Sequence, residues 1–340
     1  MSTMYGEHEV FEFDEIYPAT ERDDPSRKRT LIVGNGFTQA AVGRAFSYEN
    51  LKTNINHTNL TIGVNLNNLF DRIGTADFEA AIQQLVDSSN LDNDYGLTAE
   101  AVAKANDAEQ LKRELVTSIS IEHPLHPWHQ IDDQQYQSTG TFIRHFRIVF
   151  STNYDLTLYW TVMCTDLHRD YFDGFNYNHE RLLSWNGDDQ HIFYIHGGLH
   201  LFEEGPDLVK IRFNQGGENL IDQITNKLQS NVFPLTVAEG SHQAKMDKII
   251  HHSYLKNCYE ALKNNSRPIV TYGLSFRQDE HIIKAIENSN CPAIDIGIYN
   301  PNPVEISAMK AKLASTIHNR SGALRPLNVR YWDTTNLQIW

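Results

Sequence analysis

The chain has 340 residues, 40% hydrophobic and 21% charged, with a formal net charge of −14 and a pI near 5.5. This length and balance suit a globular chain with one large core or a core with insertions, and they exclude the basic footprint of a direct nucleic-acid binder. The three cysteines, Cys164, Cys258 and Cys291, form no Cys-x-x-Cys pair, so a cysteine zinc ribbon is excluded, and no apolar run reaches the length of a membrane span.

Residues 1–29 carry Glu7, Glu9, Glu12, Asp14 and Glu15 and lack an apolar signal core. They are expected to form an acidic N-terminal extension. Phe11, Phe13, Ile16 and Tyr17 would pack it on the body or on a partner; a partly ordered tail is the alternative. The basic run Arg22, Arg27, Lys28 and Arg29 reads as a solvated face. Thr30–Val33 then reads as a strand opening onto Gly34-Asn35-Gly36-Phe37-Thr38. Only the first half of a Gly-x-Gly-x-x-Gly fingerprint is present, because position 39 is Gln and the next glycine is Gly43.

Residues 77–140 lack that strand-and-loop pattern and are expected to form a helical insertion over the crevice. Phe78 to Val86 reads as an amphipathic helix after Asp77. Thr98 is expected to cap a longer one through Ile119, with Val102, Ala105, Leu111, Leu115 and Ile119 offering apolar contacts. His123, His126 and His129 lie in His-Pro-Leu-His-Pro-Trp-His. The two prolines prevent a regular helix from placing the rings on one face, so a stiff loop or pocket wall is expected rather than a three-histidine metal site.

Ile148–Phe150 opens onto Ser151-Thr152-Asn153-Tyr154-Asp155, and Ile192–Ile195 opens onto His196-Gly197-Gly198. A second insertion is expected near 200–265. In it Gly205-Pro206 and Gln215-Gly216-Gly217 mark loops, Pro234–Gly240 reads as a short strand and turn, and Gln243 to Leu262 reads as one helix with His251-His252 inside it. Pro268–Tyr272 opens onto Gly273-Leu274-Ser275, with Asp279 and His281 close behind. A strand over Ala293–Tyr299 hands over to Asn300. Asn302 then caps a helix from Pro303 to Ile317, answered by Glu305, and Val329–Trp332 is a last strand.

These runs are mostly continuous and apolar, which suits a parallel sheet buried on both faces. The expected fold is α/β: a Rossmann-like, mostly parallel sheet of about six strands, with helices on both faces and helical insertions. Residues 30–76 and 141–340 would form that domain. In such a sheet, ligands sit at the carboxyl edge of the strands, where every loop named above would meet.

The order of the loops resembles the sirtuin-like family of NAD-binding proteins. The matching segments are Gly34–Thr38, Thr152–Asp155, His196-Gly197, Gly273–Ser275 and Tyr299-Asn300. Thr-Asn-Tyr-Asp, together with Ser275 and Asp279-Glu280-His281-Ile282, is most similar to the prokaryotic branch that includes NAD-consuming effectors of antiviral defence. The resemblance implies NAD as substrate and an NAD hydrolase releasing nicotinamide and ADP-ribose. It implies Asn153 as the residue that orients ribose or water, and His196 as the base. It assigns cofactor binding to Gly34, Asn35, Gly36, Phe37, Thr38, Gly273, Ser275 and Asn300. Asp155 would bind ribose or cap its turn, and Asp279 would brace the loop or a subunit contact.

No metal is expected. A cytoplasmic homo-oligomer is expected, with an ATPase or sensor protein as a partner. The alternative reading is a non-catalytic subunit binding NAD or ADP-ribose. Protein deacylation is disfavoured, because the four-cysteine module of protein-deacylating sirtuins is missing between His-Gly and Gly-x-Ser.

Overall fold

A computed structural model describes residues 2–55, 63–177, 182–212, 219–323 and 326–340. The expected loop at Gln215–Gly217 lies outside these residues. Twelve strands are described: β1 (Thr3–Tyr5), β2 (His8–Phe11), β3 (Arg29–Val33), β4 (Phe146–Ser151), β5 (Phe175–Tyr177), β6 (Leu183–Trp185), β7 (Ile192–Tyr194), β8 (Leu201–Glu204), β9 (Asp207–Lys210), β10 (Ile269–Tyr272), β11 (Ala293–Ile298) and β12 (Asn328–Asp333). The main sheet runs β1-β2-β12-β11-β10-β3-β4-β7. All its neighbours are parallel except β1 and β2.

Counted in chain order, the six strands from β3 to β12 in this sheet lie 3-2-1-4-5-6, the doubly wound arrangement. Their residues are buried almost throughout, since helices pack on both sides. Asp133–Arg144 meets Thr157–Cys164, which meets Asn35–Val42. A second group runs from Ser253–Lys263 through Glu280–Glu287 to Pro303–Ala323.

The sheet has eight strands rather than about six, because the acidic N-terminal segment supplies two. It packs on the body instead of trailing from it. Val10, Phe13, Ile16 and Tyr17 are buried. The Phe13 ring lies 5.4 Å from Phe142 and 5.2 Å from Trp332. Arg29 is buried too, not on a solvated face. Its guanidinium sits over Tyr17 and pairs with Asp295 at 2.5 Å and Glu21 at 2.9 Å.

The first insertion is a helical hairpin, Phe78–Asp94 and Thr98–Glu122. Asp77 caps its first helix by accepting from the Glu79 and Ala80 amides. Leu97, not Thr98, stands at the second cap. Val102 and Ala105 are exposed, and Ala101, Ala108, Leu111, Leu115 and Ile119 make the buried stripe. His123 is buried while His126 and His129 are exposed, so the three rings do not converge.

The second insertion supplies β8 and β9 to an antiparallel sheet, β5-β6-β9-β8, whose other two strands come from ahead of β7, outside the expected 200–265. Pro234–Gly240 forms no strand but lies along the His196 loop, with one bridge between Gly197 and Thr236. The expected helix over Gln243–Leu262 is broken into His242–His251 and Ser253–Lys263. His252 turns extended there (φ −110°, ψ 120°), and its ring accepts from the Leu255 amide as the cap of the second helix. Among the described residues, no helix is long and apolar enough to cross a membrane.

Candidate active site

The order of the parallel strands reverses between β3 and β10, and a cleft of about 1530 Å³ opens at the carboxyl ends of these strands. The two glycine loops form its floor by gripping each other. The Gly36 amide donates to Gly273 O at 2.9 Å, and the Gly34 amide to Tyr272 O at 3.0 Å. A Cβ on Gly34 would fall 2.6 Å from Gly273 O, and Gly273 itself has φ +67° with no room beside the Phe37 amide. These glycines are therefore explained by backbone meeting backbone. The amino-terminus of the helix Asn35–Val42 still points at the cleft and favours anions there, but the Gly36 amide is already committed.

Asn153 stands just past β4, 8% exposed. Its side-chain amide donates to Gly34 O and to Thr38 Oγ1, both at 3.0 Å. Gly34 O can only accept, which fixes the orientation of the amide. Both hydrogens are thereby used inside the protein, and among the described residues the side-chain carbonyl has no hydrogen bond. Thr38 passes its own hydrogen to Asp155 Oδ2 at 2.8 Å. The other Asp155 oxygen accepts from the Thr157 amide at 2.8 Å. Asp155 is thus a turn cap that also lines the cleft.

His196 follows β7 and is 2% exposed. Its Nδ1 faces Thr152 O at 3.1 Å, and its Nε2 faces His281 Nε2 at 2.7 Å. Since a carbonyl only accepts, the His196 hydrogen sits on Nδ1 and its Nε2 lone pair receives the hydrogen of His281. Asp279 Oδ1 is 3.7 Å from the same Nε2. Burial, with the Lys245 ammonium adding to it, holds His196 well below the usual imidazole range. His281 is lowered likewise, first by burial and then by His196.

A buried ion pair lies beside them. Lys245 Nζ contacts Glu79 Oε2 at 2.7 Å, and Asp279 Oδ1 at 3.8 Å. Burial opposes the lysine charge, but Glu79 and Asp279 together raise its pKa. Burial pushes Glu79 up to about 7 despite Lys245. The Tyr154 hydroxyl lies 2.7 Å from Val237 O and 3.0 Å from Glu79 Oε1. Its single hydrogen satisfies the carbonyl, so Glu79 meets the tyrosine oxygen best when protonated, in keeping with its raised pKa.

Of the residues expected at the site, Asn35, Gly36, Asn153, Asp155, His196, Gly273 and Ser275 line the cleft. Four others do not. Gly34 is packed under Gly273 and Leu274. Phe37 is core, against Tyr272 and Trp340. The Thr38 hydroxyl is spent between Asn153 and Asp155. Asn300 (φ +46°) bonds Thr335 outside the cleft, and Asn302, which caps the next helix, lines it instead. Asp279 is a cleft residue rather than a loop brace alone. Glu79 and Lys245 were not legible as site residues. The only signal was the Phe78-Glu79 start of the first insertion, and Lys245 gave none.

A family model described as "Domain of unknown function (DUF4917)" matches residues 31–340, and the chain belongs to that family. No curated protein matches the chain.

Proposed function

We propose that this member of the DUF4917 family hydrolyses NAD to nicotinamide and ADP-ribose in the cleft between β3 and β10. The observation that carries the reading is that Asn153 and His196 line one cleft at the switch point of a 3-2-1-4-5-6 sheet, with both hydrogens of the Asn153 amide held by the protein. Such switch points are where dinucleotides bind in this architecture.

In the reaction, a water oxygen bonds to C1′ of the ribose as the bond from C1′ to the nicotinamide nitrogen breaks. The bonding pair stays on that nitrogen, and nicotinamide leaves neutral. Positive charge develops at the ribose, where neutral dipoles help and fixed cations do not. The Asn153 carbonyl accepts a hydrogen from the water or from a ribose hydroxyl. The water's second proton goes to His196 Nε2 once His281 has yielded that lone pair. Nδ1 stays bonded to Thr152 O and keeps the ring in place.

A specific observation favours a second reading, a non-catalytic module for NAD or ADP-ribose: both His196 nitrogens are already engaged. Incubating the purified chain with NAD separates the two. Hydrolysis predicts nicotinamide release that falls at least a hundredfold in Asn153→Ala and in His196→Ala, while both variants keep their melting temperature within a few degrees. Thermal stabilisation by NAD without release, in the isolated chain and in any oligomer it forms, supports the binding module and overturns hydrolysis.

A further inference from the structure

At the floor of the cleft, His196, His281 and Asp279 turn three donor atoms toward one another, all within 4.8 Å. The two Nε2 atoms are 2.7 Å apart, and Asp279 Oδ1 is 3.7 Å from His196 Nε2. Two imidazoles and a carboxylate with an open fourth position are a donor set of the zinc class, and metal bonds of about 2.0–2.2 Å separate tetrahedral donors by about 3.3 Å. The histidines would have to part by about half an ångström, and Asp279 to close toward His281 by up to about 1.5 Å. Among the described residues, no hydrogen bond on His281 Nδ1 has to break for that shift.

The surroundings fit a cation. His196 Nδ1 donates to Thr152 O, the backing that a metal-bound histidine ordinarily has, and it leaves Nε2 as the ligating atom. His196 and Asp279 both line the cleft, which puts the open position on the ligand side.

We propose that His196, His281 and Asp279 bind a divalent transition-metal ion of the zinc class, with its remaining position open to the cleft. Ligation and proton acceptance use the same Nε2 lone pair, so an occupied site withdraws His196 from catalysis. That consequence rests on the hydrolase reading; the binding does not.

The test is calorimetric titration of the chelator-treated full chain with zinc chloride, with visible absorption of a Co(II)-loaded sample beside it. The wild type should take up a single equivalent and give the intense bands of low-coordinate cobalt. Asp279→Ala and His281→Ala should each weaken binding at least tenfold while circular dichroism shows them folded. Asp279→Asn and His281→Gln carry the same expectation should either alanine variant unfold. No saturable uptake by the wild type overturns the proposal. So does uptake that both substitutions leave unchanged, since the zinc would then sit on other histidines. A chain that binds zinc in this way but never releases nicotinamide loses only the hydrolase reading. One that releases nicotinamide and ignores zinc loses only the metal site.

Discussion

Asn153, Thr38 and Asp155 form a chain of hydrogen bonds whose direction is set at both ends, by Gly34 O and by the Thr157 amide. Asn153 was legible as a site residue because the handover from an apolar strand to Thr-Asn-Tyr-Asp is local. The supporting role of Thr38 was not, because its partners are 115 and 117 positions away. His123 makes the same point. Its sequence setting suggested a stiff loop or a pocket wall, and the ring is enclosed by Trp160 at 4.4 Å and Phe46 at 5.4 Å, while its Nε2 accepts from the Leu156 amide at 2.9 Å. Burial lowers its pKa from 6.5 to about 4. Below pH 6.5 the unfolded chain takes up a proton that the folded chain refuses. The stabilisation is complete above that pH and is lost as pH falls toward 4, by roughly 3 kcal/mol in all. Urea unfolding at pH 7 and pH 4.5 checks this. The wild type should lose about 2 kcal/mol more between the two than His123→Gln; parallel losses would show that His123 does not titrate as a buried group.

The two insertions are clasped to each other beside the loops that line the cleft. Gly240, ahead of the helix His242–His251, lies so close to the first insertion that a Cβ there would fall 2.3 Å from the Gln83 amide nitrogen. Lys245 on that helix reaches Glu79 in the first turn of Phe78–Asp94. Removing one partner of a buried pair leaves the other charge without compensation, at about 3–5 kcal/mol, whereas replacing both can be close to neutral. Lys245→Met should therefore lower the unfolding free energy by about 3–5 kcal/mol, and Glu79→Gln added to it should restore most of the loss. Additive losses in the double variant would mean that the clasp is held by packing alone. Helix periodicity made Phe78–Val86 legible, with Asp77 as its cap. It could not show the break at His252, because the apolar spacing from Met246 to Leu262 runs on without a glycine or proline. Nor could it show that Val102 and Ala105 are exposed, which depends on what packs on that side of a long helix rather than on its own spacing.

Across the whole molecule, the six parallel strands were legible because strands buried on both faces must be largely apolar runs, each here handing over to small or polar loop residues. The N-terminal pair was not, since β1 and β2 have only Val10 fully buried and otherwise carry polar or half-exposed residues typical of a sheet edge. Yet this segment closes the molecule. β2 pairs in parallel with β12, so it covers backbone groups that would otherwise form an open edge. Phe13, Ile16 and Tyr17 bury themselves behind it, and each such side chain contributes roughly 1.5–3 kcal/mol. The Tyr17 hydroxyl donates to His145 O at 2.5 Å, tying the segment to the turn that leads into β4. Its ring also covers the Arg29 guanidinium, which with Arg330 neutralises the buried Asp295 of β11. Deleting residues 2–17 should then do more than shorten a tail. It would uncover the Trp332 and Phe142 surfaces, open the β12 edge and leave the Arg29–Asp295–Arg330 group partly wetted. The shortened chain should unfold at a clearly lower urea concentration than the full chain, and light scattering should show association that grows with concentration, as an exposed apolar edge promotes. An unchanged urea midpoint, with no association, would show that the sheet is complete without its first two strands.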